Sequence, residues 1–274
     1  HPHPAWNFYD AWVTQKFSEV TAYSCCRGFV GGAEVAQQHS RALRLSVSEL
    51  WLRFEERFEH DAVFSPSMLN LSKIQAITLD LDDTLWPVWP TIERAEVALQ
   101  DWLTQHAAAT ARLCADAEVK KRIRTEINHR HADQSHDLTF LRREAIRESL
   151  LRAGDCPDLA DAAFDVFFAE RQNVTLYEGV MQALVRLSAR YPLVGLSNGN
   201  ADVFRTSAGP YFKAAVSARL CGVAKPDVRI FHAAAAELNL PADAVLHLGD
   251  DANTDVLGAL NAGMQTVWIN TQGH

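Results

Sequence analysis

Four short apolar runs constrain the fold of this chain more than any other feature of its sequence. Each is continuous rather than alternating, and each ends in, or is followed directly by, a polar residue. The runs are residues 74–80, 193–197, 244–249 and 266–270. Such runs are typical of strands in a parallel sheet covered on both faces. Helical patterns separate the later runs, at residues 180–187, 226–238 and 256–263. The sequence therefore predicts a doubly wound α/β fold with a parallel sheet.

The stretch from about Thr91 to Tyr177 interrupts this alternation. It is charged, almost free of glycine, and carries apolar residues at helical spacing, such as Leu99 and Leu103. Because it lies between the first and second predicted strands, it predicts a separate helical lobe. We therefore expect a core domain formed by residues 68–90 and 178–274, and a helical cap domain formed by residues 91–177.

Residues 1–67 have a different character from the rest of the chain. They contain one clear helix signal, a capping box of Ser46 and Glu49 followed by Leu50 and Phe54 at helical spacing. Elsewhere in this segment no period is evident. Met68 stands just before the first predicted strand, so we expect it to be the initiator and residues 1–67 to be an N-terminal extension.

The charge balance excludes some classes of partner. The 274 residues include 34 acidic and 26 basic side chains, which give a formal net charge of −8. Such a chain lacks the positive field that attracts nucleic acid or anionic lipid. Its apolar stretches are far shorter than the roughly 20 residues of a membrane-spanning helix. We expect a cytoplasmic protein that binds neither nucleic acid nor membrane. The 5 cysteines show no metal-binding spacing and are expected to be reduced thiols.

Three aspartates, Asp80, Asp82 and Asp83, stand at the end of the first apolar run. A twisted parallel sheet presents the carboxyl ends of its strands to ligands, so side chains there can converge on one point. A lone Asp-x-Asp more often caps a turn. Here, however, further polar residues occupy later strand ends or the positions just after them, namely Ser197, Lys225, Asp250 and Asp255. The sequence therefore predicts one site built from distant segments.

Four motifs carry these residues in order along the chain. They are Asp80-Leu-Asp-Asp-Thr-Leu85, Leu196-Ser-Asn-Gly199, Lys225-Pro-Asp227 and Gly249-Asp-Asp-Ala-Asn-Thr-Asp255. Together they resemble the motifs of the haloacid dehalogenase-like hydrolase superfamily, and the resemblance covers about residues 71–270. It implies a Rossmann-like core with an inserted α-helical cap. Residues 136–143 and the turn at 198–200 resemble a bacterial branch that acts on flavin mononucleotide and phosphorylated riboflavin precursors.

The chemistry of such a site follows from its charges. A phosphate ester dianion repels carboxylates, so several aspartates around one such anion require cations. Mg²⁺ suits hard carboxylate oxygens, and we expect Asp80 and Asp250, with the backbone carbonyl of Asp82, to hold it; the resemblance implies the same set. Asp80 is the predicted nucleophile, which forms an aspartyl-phosphate. Asp82 is the predicted general acid for the leaving alkoxide and then the base for water.

The remaining motif residues are expected to bind the phosphoryl group or to support the site. Ser197 and the amide of Asn198 would hydrogen-bond to phosphoryl oxygens, while Lys225 offsets the charge on the transferred group. Supporting roles are predicted for Thr84, Asp251 and Asp255, the last of which would orient the metal shell or Lys225. The sequence thus predicts a magnesium-dependent phosphatase for a small phosphorylated metabolite, such as flavin mononucleotide or a sugar or nucleotide phosphate.

Four other interpretations share part of this pattern. A phosphomutase shares all four motifs and stays open. A dehalogenase releases halide without a proton, so Asp82 favours phosphate chemistry. A phosphonate-cleaving relative would need a reactive cap lysine, whereas Lys120 and Lys121 look like part of a solvated helix face. A phospho-accepting switch protein would carry its acceptor on a later strand than its acidic pair and would have no helical lobe.

The predicted cap carries the residues that would select the substrate. An aromatic face there could stack on a planar ring, and a guanidinium could bind a second anionic group. The candidates are Trp86, Trp89, Arg142 and Arg143, for which packing and solvation are equally compatible roles. Three histidines of this segment lack a carboxylate at a metal-binding spacing and are expected at the surface: His129, His131 and His136.

Overall fold

The computed structural model describes residues 19–23 and 69–270, with the backbone alone at 19–23 and 270. The helix predicted after Ser46 and the predicted initiator Met68 lie outside the described residues. Within the described part, no helix is both long enough and apolar enough to cross a membrane.

A six-stranded sheet forms the centre of the molecule. Its strands are β1 (Glu19–Tyr23), β2 (Ala76–Leu79), β3 (Leu193–Ser197), β4 (Ala214–Ser217), β5 (Val245–Gly249) and β6 (Gln265–Asn270). The order is β1-β6-β5-β2-β3-β4. Neighbouring strands from β6 to β4 are parallel, whereas β1 pairs antiparallel with β6. The predicted doubly wound α/β fold is confirmed.

Helices account for most of the remaining described chain. The helices are α1 (Val88–His106), α2 (Ala108–Cys114), α3 (Ala117–Arg130), α4 (Leu138–Ala153), α5 (Ala160–Arg171), α6 (Val180–Ser188), α7 (Ala218–Cys221), α8 (Val228–Ala236) and α9 (Gly258–Asn261). Helices α1 to α5 lie between β2 and β3 and form a helical lobe, which we call the cap. The chain returns to the core where the Tyr177 amide donates a hydrogen bond to the Leu85 carbonyl, at 2.9 Å.

Apolar side chains on both faces of the sheet explain why its strands are continuous apolar runs. On one face, Ile77 and Leu79 pack with Leu184 of α6. On the other, Ala76 and Val194 belong to the cluster of α8 and α9. The cap has a separate core, which includes Leu99, Leu150, Phe164 and Phe167. Each layer therefore buries its own apolar face, as a doubly wound fold requires.

Three local features differ from the sequence-based expectations. Strand β4 was not predicted, because its alanine-rich run, residues 214–217, lacks a β-branched pattern. The helix expected from Pro226 begins at Val228, with Asp227 as its N-cap. The helix after β5 starts as a π-helical segment, Ala252–Leu257, before α9.

Candidate active site

Three adjacent strands bring the predicted site residues to one edge of the sheet. Strand β2 lies between β5 and β3, and all three run parallel. Asp80 follows β2, Ser197 ends β3, and Asp250 follows β5. Because parallel strands end at the same edge, residues far apart in sequence meet there.

Lys225 is the cationic centre of this site. Its Nζ lies 2.5 Å from Asp80 Oδ1 and 2.6 Å from Asp255 Oδ1, and its side chain is 2% exposed. Burial alone would lower the pKa of Lys225, but the two carboxylates outweigh it and raise the pKa above its ordinary value. A permanently charged ammonium therefore faces Asp80.

The loop after β3 fixes the backbone of Lys225. The Asn198 side chain donates a hydrogen bond to the Lys225 carbonyl at 3.0 Å and accepts one from the Lys225 amide at 2.7 Å. The buried Ser197 hydroxyl accepts a hydrogen bond from the Gly199 amide at 2.9 Å. The predicted phosphate-binding residues Ser197, Asn198 and Lys225 are thus brought together, with the Asn198 side chain holding a second loop in place.

Asp255 sits behind Lys225 in a fully buried chain of hydrogen bonds. Its Oδ1 accepts from His247 Nε2 at 3.0 Å, and His247 Nδ1 lies 2.8 Å from the Thr78 hydroxyl. Because a carboxylate only accepts, Nε2 carries the proton and Nδ1 of a neutral ring accepts from Thr78. Burial lowers the pKa of His247, which keeps the ring neutral. Burial would raise the pKa of Asp255, but Lys225 and His247 hold it well below its usual range.

Two glycines give the carboxylates room at this edge. A Cβ at Gly249 would lie 2.3 Å from the Asp255 Cγ, and a Cβ at Gly199 would lie 2.3 Å from Asp82 Oδ2. Real Cβ atoms do not approach other atoms this closely. A Cβ at either position would therefore displace the neighbouring aspartate.

Asp80, Asp250 and Asp255 form a group of three carboxylates, each with an oxygen within 4.8 Å of the others. The Thr84 hydroxyl lies 3.1 Å from Asp80 Oδ2 and 3.2 Å from Asp250 Oδ1, so it can donate to either. Burial, with the nearby Asp255 and then Asp83, raises the pKa of Asp250 to about 6. Burial likewise raises the pKa of Asp80, against the attraction of Lys225.

This donor set fits a hard divalent cation. Three carboxylates face one ammonium, so the site carries surplus negative charge, and carboxylate oxygens are the ligands that Mg²⁺ prefers. Asp80 and Asp250, two members of the predicted ligand set, belong to this group. The carboxylate of the third, Asp82, is engaged elsewhere, and the sequence-based expectation had assigned only its backbone carbonyl to the metal.

Asp82 is held by a cap residue that sequence reasoning missed. Arg171 Nη2, at the end of α5, lies 2.6 Å from both Asp82 oxygens. The buried Trp86 donates from its indole Nε1 to Asp82 Oδ1 at 2.8 Å. Arg171 stands in a charged helical sequence without a distinguishing pattern, whereas His247, also missed, could have been noticed as a lone polar residue inside an apolar strand.

Two further aspartates of the motifs shape their loops. Asp83 adopts a left-handed backbone, with φ of 60°, and its Oδ1 accepts a hydrogen bond from the Val88 amide at 2.9 Å. Asp251 is the N-cap of the π-helical segment, where it accepts from the amides of Asn253 and Thr254. These contacts are those of supporting residues.

A cavity of about 230 Å³ lies between the cap and the core. It is lined by Asp82 and Gly199 from the core and by Arg142, Phe167 and Arg171 from the cap, among others. Pockets for drug-sized ligands are typically about 300–1,000 Å³. The cavity therefore suits a smaller group, held beside Asp82.

The cap candidates named from the sequence divide between this cavity and the surface. Arg142 lines the cavity, stacks on Phe167 at 4.2 Å, and pairs with Glu96. Arg143 does not line the cavity and pairs with Asp161 at 2.8 Å. Trp89 is 64% exposed.

The cap lysines and histidines also have defined positions. Lys120 pairs with Glu96 at 3.1 Å, while Lys121 is exposed. His129 is exposed, and His131 and His136 are half-buried. Among the described residues, the group of three potential metal ligands contains aspartates and no histidine.

Comparison with known proteins gives a consistent family. A family model described as haloacid dehalogenase-like hydrolase matches residues 74–263. The 5-amino-6-(5-phospho-D-ribitylamino)uracil phosphatase YigB of Escherichia coli (strain K12) is 33% identical over 206 residues, which cover 74% of this chain and 86% of that protein. The N-acylneuraminate-9-phosphatase of Homo sapiens is 31% identical over 216 residues, covering 75% of this chain and 86% of that one.

Solved structures show the same architecture. A 2-haloacid dehalogenase from Pseudomonas syringae pv. Tomato DC3000 matches with a TM-score of 0.66 and 36% identity, covering 70% of this chain and 85% of that chain. A HAD phosphatase from Thermococcus onnurineus, at 22% identity and a TM-score of 0.53, shares the fold. The match covers 73% of this chain and 88% of the chain of that phosphatase.

Proposed function

The chain belongs to the haloacid dehalogenase-like hydrolases, and we propose that it is a magnesium-dependent phosphatase that acts through an aspartyl-phosphate on Asp80. Two curated relatives are named phosphatases, and this chain aligns with most of the length of each. Both names support a phosphoric monoester hydrolase. The natural substrate proposed is a small phosphorylated metabolite. We further propose a cytoplasmic enzyme, and the acidic charge balance argues against nucleic acid or a membrane surface as its partner.

One observation carries the proposal. Asp80 and Asp82 are two residues apart but have different surroundings. Asp80 lies beside the ammonium of Lys225, whereas Asp82 lines the cavity. A phosphoryl group placed between them would meet a nucleophile and a cation on one side and a proton-transfer group on the other. A hydrolysis with a covalent intermediate requires this division of labour.

In the first proposed step, a carboxylate oxygen of Asp80 attacks phosphorus and the bond to the ester oxygen breaks. Asp82 gives its proton to the leaving alkoxide, which departs as an alcohol into the cavity. Lys225 offsets the negative charge that gathers on the phosphoryl oxygens, and Ser197 with the Asn198 amide hydrogen-bonds to them. The site is a preorganised array of donors around the transferred group.

In the second proposed step, water attacks the phosphorus of the aspartyl-phosphate. Asp82, now ionised, takes the proton of that water, and the bond between phosphorus and Asp80 breaks. Inorganic phosphate leaves, the Asp80 carboxylate is restored, and Asp82 holds a proton again. Atoms and charge balance over the cycle, since one water is consumed for each ester cleaved.

Asp80 and Asp250 would hold the magnesium ion, with Asp255 and Thr84 orienting the shell from behind. When bound, Mg²⁺ supplies positive charge to carboxylate and phosphate oxygens that would otherwise repel one another. The raised pKa of Asp250, about 6, reflects burial and the same crowding of carboxylates in the protein alone.

A second candidate function is suggested by the similarity to a 2-haloacid dehalogenase at 36% identity. A dehalogenase would also use Asp80 as its nucleophile, but halide leaves as an anion and needs no proton. Asp82, bound by Arg171 and Trp86, would then have no chemical task. The two functions are separated by measuring chloride release from 2-chloropropionate beside phosphate release from phosphate esters.

The substrate proposed for testing first is a phosphate ester of the riboflavin route. The relative YigB is named for a phosphorylated ribitylaminouracil, and residues 136–143 resemble the branch that acts on such esters and on flavin mononucleotide. The cavity accepts a small group beside Asp82, and Arg142, which lines it, offers a cation.

The proposed function is tested with para-nitrophenyl phosphate and a panel of phosphorylated metabolites, each with MgCl₂ and with EDTA. Phosphate release that requires Mg²⁺ and repeats over many turnovers is expected. A single turnover that leaves stable phosphoprotein would indicate a switch protein, and conversion of an ester into its isomer would indicate a phosphomutase. No phosphate release from any ester would contradict the proposal.

A further inference from the structure

Arg171 is a buried cation whose ion pair is with Asp82, a predicted catalytic residue. Its side chain is 2% exposed, and it projects from the last turn of α5 toward the core. Its Nη2 is 2.6 Å from each Asp82 oxygen. Its Nε and Nη1 are buried without a hydrogen-bond partner among the described residues.

This arrangement is costly for a residue whose role is only structural. Buried polar groups are usually hydrogen-bonded, and within the described residues the guanidinium of Arg171 makes its side-chain hydrogen bonds to Asp82 through Nη2. Removing Arg171 would cost the fold little hydrogen bonding outside its contact with Asp82. The position of this guanidinium therefore points to Asp82.

Asp82 is fixed from three directions. Arg171 holds both oxygens, the Trp86 indole donates to Oδ1, and Gly199 leaves the space that Oδ2 occupies. The Asp82 side chain is 19% exposed, on the side of the cavity. Its carboxylate has one defined orientation, which faces the place where a leaving group would lie.

The end of α5 is itself fastened to the core. Gln172, the residue after Arg171, is buried and its Oε1 accepts a hydrogen bond from the Asp202 amide at 2.6 Å. Arg171 is therefore brought to Asp82 by the docking of the cap helix. A positively charged side chain at a helix C-terminus is also favoured by the helix dipole.

We propose that Arg171 is a positioning residue of the cap that holds the Asp82 carboxylate in place for proton transfer to the leaving group. This inference rests on the proposed phosphatase function. It makes proton transfer depend on a residue of the cap, although both catalytic aspartates belong to the core. Arg171 acts through Asp82 and does not itself contact the transferred phosphoryl group.

The test uses the dependence of rate on the leaving group. Para-nitrophenolate is a good leaving group and needs little help from a general acid, whereas the alkoxide of glycerol 3-phosphate needs a proton. General acid catalysis contributes typically about 10²–10⁴-fold. In R171Q we expect kcat for glycerol 3-phosphate to fall at least about tenfold more than kcat for para-nitrophenyl phosphate, with little change in KM.

Two variants provide matched comparisons. Arg171→Lys keeps the positive charge but replaces the guanidinium with a shorter point charge, so it should recover only part of the lost rate on the alkyl ester. Arg152→Gln removes another cap arginine paired with a carboxylate, Glu148 at 2.8 Å, away from the cavity, and should leave both rates unchanged. Melting temperatures of all variants show whether each is folded.

A further variant, Gly199→Ala, displaces Asp82 and keeps Arg171 in the chain; its new Cβ would also lie 3.2 Å from Ser197 Oγ and 3.5 Å from Arg171 Nη2. In Gly199→Ala, the new Cβ would meet Asp82 Oδ2 at 2.3 Å and displace it. We expect the same loss on the alkyl ester, and a double variant with R171Q should be no slower than the more affected single variant.

The outcomes separate this inference from the proposed function. If R171Q slows both esters equally, the positioning role is wrong although the phosphatase stands. If R171Q does not fold, equal losses on the two esters in Arg171→Lys and Gly199→Ala overturn the inference. If the wild-type protein hydrolyses neither ester, the proposed function itself is contradicted.

Discussion

One ionic cluster lies at the edge of the sheet and another inside the cap, and their compositions are opposite. At the sheet edge, the ammonium of Lys225 lies between Asp80 and Asp255. In the cap, the carboxylate of Glu96 lies among Lys120, Arg124 and Arg142. Both clusters are partly or wholly buried, and an unpaired charge is costly in a buried position.

The two clusters differ in the sign of their surplus charge, and this difference distinguishes a site that can bind a cation from one that stabilises the cap. The sheet edge holds three carboxylates against one ammonium, which together with burial raises the pKa of Asp250 to about 6. The cap holds three cations against one carboxylate; burial would raise the pKa of Glu96, but the cations lower it to about 2. Only the first cluster is left with negative charge that a divalent ion can neutralise.

The strongest way to test this contrast is Asp80→Asn. We expect turnover of phosphate esters to fall by at least about 10³-fold, since loss of a covalent nucleophile has effects of this order or larger. The melting temperature should be retained, because a buried carboxylate with a raised pKa has been removed. Activity near the wild-type level would contradict the covalent route.

A second test removes the cation from the sheet edge. In Lys225→Met, the carboxylates of Asp80 and Asp255 lose their buried partner, and a stability loss of about 3–5 kcal/mol is expected. Activity should fall by about 10²–10³-fold, the range found when one group that stabilises the transition state is removed. Urea unfolding and steady-state kinetics at pH 7 would measure the two losses, and a variant as active as the wild type would remove Lys225 from the mechanism.

The corresponding test in the cap is Glu96→Gln. Because the pKa of Glu96 is lowered from 4.5 to about 2, its ionised form stabilises the fold by about 3 kcal/mol above pH 4.5. This contribution is lost as the pH falls from about 4.5 to about 2. Wild type and variant should therefore differ in urea unfolding at pH 7 and converge near pH 2.

The activity of this variant sharpens the contrast. Glu96→Gln should hydrolyse para-nitrophenyl phosphate at nearly the wild-type rate under conditions in which it is folded, because Glu96 lies outside the proposed catalytic set. A loss as large as that of Lys225→Met would show that the cap cluster also serves the reaction.

The smallest effect is expected at the surface of the cap. Arg152 is exposed and pairs with two half-buried glutamates, Glu126 and Glu148. Surface ion pairs contribute little because water screens them and side-chain entropy opposes them. Arg152→Ala should change neither melting temperature nor kinetics beyond experimental scatter, and a clear loss would mean that exposed pairs hold the cap together.

The fold and most of the sheet-edge residues could be predicted because local sequence determines them. Buried parallel strands must be apolar throughout, and their ends must collect at one edge, which is why Asp80, Ser197 and Asp250 could be named together. The strand Ala214–Ser217 could not, since its alanines carry little β-strand signal.

Contacts between the cap and the core could not be predicted for a different reason. The partnership of Arg171 with Asp82 joins residues 89 positions apart through the docking of two layers. Nothing within α5 distinguishes Arg171 from an arginine that faces solvent. The positions of Arg142 and Arg143, adjacent in sequence, likewise separate only when the helix is packed.

The glycines at 199 and 249 limit how long the acidic side chains at positions 82 and 255 can be. With a backbone so near, Asp82 and Asp255 need only the shortest acidic side chain to reach their partners. A glutamate at either place would extend the acid by one carbon–carbon bond, about 1.5 Å, into space already filled. The length of the side chain therefore matters at positions 82 and 255 as much as its charge does. Replacing either aspartate by glutamate should lower activity as much as replacing it by asparagine.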